Sequence, residues 1–208
     1  MEEAVSYISS LILEKLADEK KVLLLLSGGS SVSVNLQIIK ILKNHNLDNL
    51  YVSLVDERYG AVGHIDSNWT LMQKEGLDTL QAKMYPVLLG ENIVDTTKNF
   101  EGNLKWLLGA TDYKIGIFGI GGDGHTAGIL PKSEAVKAES LAFQYSTEKY
   151  NRITITPKCI RMLDEAVLVA KEGEKDDIIL QLENEDKDFF LMPAQTLKKV
   201  PILKIFKF

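Results

Sequence analysis

Val22 to Leu42 reads VLLLLSGGSSVSVNLQIIKIL and contains one complete strand–turn–helix unit. Val22–Leu26 is an unbroken aliphatic run, too short for a helix and without alternation, as expected of a parallel strand buried on both faces. Ser27-Gly28-Gly29-Ser30-Ser31 breaks the run. From Val32 to Leu42 the apolar residues return at helical spacing. A strand followed at once by a turn and a helix is the repeating unit of α/β folds.

The alternation continues in both directions. Val5, Ile8, Leu11, Ile12 and Leu16 follow the i, i+3, i+4 spacing of an amphipathic helix. Tyr51–Val55 predicts the second strand, Ser67 caps a short helix through Glu75, and Met84–Val87 predicts a further short strand. Asp95 or Thr96 caps a helix carrying Phe100, Leu104, Leu107 and Leu108 on one side. Lys114–Phe118 is a strand. Leu141–Tyr145 and Arg152–Thr156 flank a polar turn and predict a hairpin. Thr156-Pro157 supplies the N-cap and first position of a helix reaching Leu163. Ala166–Ala170 is another buried strand, Gly173 or Glu174 opens a helix through Leu182, and Pro201–Phe206 predicts an edge strand. No repeat, low-complexity tract or long linker interrupts the pattern, so 208 residues are read as one α/β domain around a mostly parallel sheet.

Composition narrows the function classes. Hydrophobic residues make up 45% and charged residues 25%, which excludes a disordered chain or a coiled coil. A formal net charge of −5 offers no general attraction for nucleic acid or an acidic membrane, so neither is an expected partner. The single Cys159 excludes an internal disulfide and a cysteine-based zinc site, and it is read as a small apolar residue on a helix face. The N-terminus, MEEAVSYISS, is acidic where a signal peptide is basic, and Val22–Leu26 is far too short to span a bilayer. The cytoplasm is the expected compartment.

The chemistry concentrates in a second stretch, Ile115 to Pro131, IGIFGIGGDGHTAGILP. Four glycines at 119, 121, 122 and 124 follow a strand, bracket Asp123 and lead to His125. Gly119, Gly121 and Gly124 satisfy G-x-G-x-x-G, but the dinucleotide fingerprint needs a helix at the third glycine. Gly128 and Pro131 interrupt that helix, so the fingerprint is rejected. A carboxylate and an imidazole two residues apart on such a loop are the parts of general-base chemistry. An ordinary imidazole, titrating near ~6.5, keeps a neutral, proton-accepting form at neutral pH. His45 and His64 lie outside any such motif and are read as surface or structural residues. Ser27–Ser31, Asp56–Arg58, Gly119–His125 and Lys175 all follow strand ends or open helices. Open α/β sheets bind ligands at the carboxyl ends of their strands, so these segments are expected to converge on one crevice.

DER at 56–58, SN at 67–68 and GGDGHTAGILP at 121–131 resemble the 6-phosphogluconolactonases, which share a fold with the glucosamine-6-phosphate deaminases. The similarity runs from SGGSS at 27–31 to LMPA at 191–194 and includes RITIT at 152–156 and VLVAKEGEK at 167–175. It implies a Rossmann-like three-layer fold with helices on both faces of the sheet and hydrolysis of a sugar-phosphate lactone without metal or cofactor. On the resemblance His125 is the general base, and Asp123 orients it or contacts substrate hydroxyls. Backbone N–H groups of the glycine loop, Gly122 included, meet the oxyanion or the substrate. A phosphate dianion would be held by the Gly28-Gly29-Ser30 turn at a helix start and by Arg58, Arg152 and Lys175, with Asp56 beside the substrate. A small sugar phosphate is the expected partner, and a monomer is expected on family grounds.

Two departures stand out. Val32 occupies a position where relatives usually place proline, and Gly128 stands where the lactonases commonly have serine. The deaminase branch resembles this chain less, because it has DEY where this chain has Asp56-Glu57-Arg58. It also places a glutamate five residues after the loop histidine, where this chain has Leu130. A sugar-phosphate-binding regulator would keep the cations but has no need of the Asp123–His125 pair. A metal-dependent hydrolase finds no H-E-x-x-H motif or carboxylate cluster.

Overall fold

The computed structural model describes residues 1–208. Helix α1 (Glu2–Ala17) leads into strand β1 (Val22–Leu26), and α2 (Val32–Leu42) carries the chain to β2 (Leu50–Leu54). A three-residue strand β3 (Asp56–Arg58) follows at once, then α3 (Asn68–Lys74), β4 (Lys83–Met84), α4 (Ile93–Ala110) and β5 (Tyr113–Phe118). The hairpin β6 (Ala142–Ser146) and β7 (Asn151–Ile155) precedes α5 (Pro157–Ile160), β8 (Glu165–Ala170), α6 (Asp176–Asn184) and β9 (Ile202–Lys207).

Six strands form one parallel sheet in the order β4-β2-β1-β5-β8-β9. Every residue of β1 and of β8 is buried, which is why Val22–Leu26 and, after Glu165, Ala166–Ala170 read as uninterrupted apolar runs. From β1 the chain winds outward through β2 and β4, then returns to β5 and winds the other way. Right-handed crossovers in opposite directions put helices on both sides of the sheet. The reversal lies between β1 and β5, and the crevice at such a point is where doubly wound sheets take their ligands.

Several boundaries differ from the sequence reading for identifiable reasons. Helix α4 is capped by Asn92, whose side chain accepts from Asp95 N, and not by Asp95 or Thr96. Asp95 instead sits at the third helical position and accepts from Asn92 Nδ2 at 2.6 Å, so it shares in the cap. Helix α6 begins at Asp176 because the Asp176 carboxylate accepts from Gly173 N and folds Gly173–Lys175 into a turn. Thr156 caps α5 as expected, but the helix ends at Ile160, where Met162 N and Leu163 N bond three residues back and tighten the chain into turns. Asp56–Arg58, expected from the sequence only to follow a strand end, is itself a strand, and it joins β7 and β6 in a separate antiparallel sheet, β3-β7-β6. Because only Val55 separates β3 from β2, this second sheet stands beside the carboxyl ends of the parallel strands.

Cys159 lies on α5 and is fully buried, and burial pushes its thiol up to about 12. Since the thiolate is the reactive form, alkylation of the native protein at pH 8 is expected to run at least ~100-fold slower than in denaturant. Equal rates measured by mass spectrometry would contradict that burial.

Candidate active site

Two loops meet at the switch point. The turn after β1 (Ser27–Ser31) and the loop after β5 (Gly119–Gly128) line one cleft together with Asp56, Arg58, Asn68 and Arg152. Seven of the ten residues singled out in the sequence line it: Gly28, Gly29, Ser30, Asp56, Arg58, His125 and Arg152. Asp123 stands just behind His125, bonded to its ring. Gly122 and Lys175 lie at the outer side of the glycine loop, where Lys175 Nζ is 3.7 Å from the point a Gly122 Cβ would occupy.

The glycine loop is shaped by its own hydrogen bonds. Gly121 N donates to His125 O, Gly124 N to Gly121 O, and Thr126 Oγ1 to Gly119 O. Asp123 Oδ1 accepts from both His125 N, at 3.1 Å, and His125 Nδ1, at 2.6 Å. A carboxylate on Nδ1 fixes the tautomer with its proton there and leaves Nε2 as the acceptor. Partial burial opposes ionisation of Asp123, but the His125 N–H bond, the imidazole charge and the ring hydrogen bond together hold its carboxyl below the usual range. The pair closes directly over the backbone of Gly121. A Cβ there would overlap Nδ1 and Cε1 of His125 and stand 2.7 Å from Asp123 Oδ1.

Beyond His125 the chain makes a tight turn. Ile129 N donates to Thr126 O at 2.7 Å, and both central residues are left-handed, Ala127 at φ 49° and Gly128 at φ 69°. That is the geometry of a type I′ turn, which glycine adopts without strain. Gly128 also brings the backbone against Asp56, whose Oδ2 lies 2.5 Å from where a Cβ would be. The departure from serine at this position therefore matches local geometry: a side chain would meet both a left-handed φ and a buried carboxylate. Thr154 Oγ1 donates to Ala127 O and Tyr145 OH to Gly128 O, so both carbonyls of the turn are tied down.

The cations come from the second sheet. Arg58 on β3 and Arg152 on β7 stand directly opposite one another in the ladder. Arg152 Nη1 reaches Asp56 Oδ2 at 3.4 Å, and Arg58 Nη1 donates to Asp66 O at 2.8 Å. Asp56 is buried, and burial raises its carboxyl above the usual range against the pull of Arg152, Arg58 and His125. Across the cleft, Ser31 Oγ is committed to Ser27 O and Gly28 O, which shapes the turn ahead of α2. The hydroxyl of Ser30 lies on the cleft side with no acceptor in the chain.

Two residues carry more of this site than the sequence reading assigned them. Glu57 is buried and accepts from Arg58 N, Asn68 N, Trp69 N and Ser67 Oγ, joining β3 to the start of α3. Asn68 lines the cleft, donates Nδ2 to Asp56 O, and keeps a buried Oδ1 without a partner. The adjacent Ser67-Asn68 pair was the available signal, but nothing in its spacing ties it to Glu57 ten residues earlier.

Residues 1–202 match the model of the glucosamine-6-phosphate isomerases/6-phosphogluconolactonase family. A 6-phosphogluconolactonase of Helicobacter pylori is 27% identical over 180 residues, covering 82% of this chain and 76% of the relative. One of Pseudomonas aeruginosa is 25% identical over 200 residues, 90% of this chain and 82% of the relative. Among solved structures, a 6-phosphogluconolactonase of Thermotoga maritima superposes with a TM-score of 0.82 at 20% identity, covering 98% of this chain and 94% of that one. One from Trypanosoma brucei gives a TM-score of 0.79 at 17% identity, covering 99% and 92%. No helix is long and apolar enough to cross a membrane.

Proposed function

This chain belongs to the glucosamine-6-phosphate isomerase/6-phosphogluconolactonase family, and from that premise we propose that it hydrolyses 6-phospho-D-glucono-1,5-lactone to 6-phosphogluconate. The observation that carries the reading is the cleft itself, where His125 and the two arginines line one space. With Nδ1–H held by Asp123, His125 Nε2 takes a proton from water as the oxygen attacks the lactone carbonyl at C1. The tetrahedral intermediate collapses by breaking the C1–O5 bond, and Nε2–H returns the proton to O5. The acid so formed then ionises in water.

Developing negative charge on the carbonyl oxygen needs N–H donors already in place. Thr154 holds the carbonyl of Ala127, so the N–H of Gly128, on the opposite side of the same planar peptide, points away from Thr154. Gly128 lines the cleft, and its N–H is the donor assigned to the oxyanion. The phosphate is assigned to the Gly28-Gly29-Ser30 turn at the start of α2, to Arg58 and to Arg152.

Lys175 is assigned to the same phosphate from the rim. Its flexible stem lets Nζ swing over Gly122 toward the ligand. Lys175→Ala is expected to raise KM ~10-fold with little change in kcat, the scale of one charge-assisted hydrogen bond. An unchanged kcat/KM would refute the role. The reading as a whole is tested by initial rates on freshly generated 6-phosphogluconolactone, corrected for spontaneous opening, with ammonia release from glucosamine 6-phosphate followed beside it. Lactone turnover without ammonia is expected. Ammonia release, or lactone opening no faster than the blank, would overturn it.

A further inference from the structure

Two like charges placed directly opposite one another in an antiparallel ladder repel and destabilise the pair. Arg58 and Arg152 are such a pair. Asp56 makes its direct ion pair with Arg152, while Arg58 donates to a carbonyl and not to a carboxylate. The Nε groups of both arginines are buried without a partner. What lies beside both guanidinium groups is the ring of Tyr150, at the foot of the hairpin before β7. Its centroid is 5.3 Å from Arg58 Cζ and 5.5 Å from Arg152 Cζ, with Lys149 Nζ 5.0 Å away. The Tyr150 hydroxyl donates to Asp66 Oδ1 at 3.3 Å, and the carbonyl of the same Asp66 holds Arg58.

An aromatic face attracts cations without carrying a charge of its own. A carboxylate in its place would hold the two arginines equally well but would cancel the charge an anionic ligand must find. We propose that Tyr150 is a positioning residue that keeps Arg58 and Arg152 side by side, without adding a negative charge of its own, as a two-armed clamp for the phosphate dianion. The proposal rests on the sugar-phosphate reading above and adds a residue that reading does not contain. Tyr150 touches neither the reacting carbonyl nor the His125–Asp123 pair, so its removal acts on capture and not on turnover.

The test is calorimetric titration with 6-phosphogluconate, together with lactone kinetics, for the wild type, Tyr150→Phe and Tyr150→Leu. Phenylalanine keeps the ring and loses only the bond to Asp66. Leucine keeps apolar cover and loses the aromatic face. Tyr150→Phe is expected within about 2-fold of wild type, and Tyr150→Leu to weaken Kd and raise KM by ~10-fold with kcat within about 2-fold. Should the leucine variant not fold, a trifluorinated phenylalanine at position 150 keeps the ring's shape while draining its face of negative potential, and the same weakening is expected. Leucine binding as tightly as tyrosine, or phenylalanine failing as badly as leucine, would overturn the proposal. A wild type that does not bind 6-phosphogluconate at all would instead overturn the sugar-phosphate reading, and the clamp with it.

Discussion

Replacement of His125 by alanine is expected to lower kcat on the lactone by ~10²–10⁴-fold, the contribution of a positioned general base. The side chain is 39% exposed and fills no core, so its loss opens no cavity. The loop keeps its shape because Gly121 N and Gly124 N bond to carbonyls that the substitution leaves in place. His45 and His64, the two other histidines, do not line the cleft, so no second imidazole stands ready to replace it. The measurement is the initial rate of acid release at saturating lactone, with the uncatalysed rate subtracted. Turnover at the wild-type level would remove His125 from the chemistry altogether.

A comparable loss is expected from a methyl group. In Gly121→Ala the new Cβ would overlap the His125 ring and crowd Asp123 Oδ1, so the imidazole must leave its carboxylate. Displacing a reacting group by about 1 Å costs on the order of 10²-fold in rate. The same fall is expected in kcat for this variant, with KM nearly unchanged because the arginines on β3 and β7 are untouched. Full turnover would show that the tight Asp123–His125 contact is not what aims Nε2. A loss confined to KM would move Gly121 to the phosphate side of the site.

The parts of this molecule that were legible in its sequence are those with local causes. Val22–Leu26 and Ala166–Ala170 are apolar throughout because they are covered on both faces, and Ser67 and Thr156 announce helix starts because their oxygens accept backbone N–H groups. Asp56–Arg58 carries no such mark. Three charged residues in a row have no apolar alternation, and they form a strand only because β7, nearly a hundred residues away, offers a ladder. The residue types of the site could be read from the glycine loop and the basic positions. Their support could not: Glu57 bonded to Ser67, Asn68 and Trp69, Tyr150 beside two arginines, and Gly128 backed against Asp56 are all contacts made by the completed fold. Misreading the α4 cap has a smaller cause, since Asp95 is a good capping residue that here occupies the third helical position behind Asn92.

Turnover requires a general base at one end of the cleft and a dianion site between the Gly28–Ser30 turn and the β3–β7 arginines at the other. A crystal structure with 6-phosphogluconate tests it most directly. The phosphate is expected against Gly28–Ser30, Arg58 and Arg152, with the C1 carboxylate within hydrogen-bond reach of His125 Nε2. A phosphate seated on His125, or a sugar bound with C1 remote from that nitrogen, would contradict it.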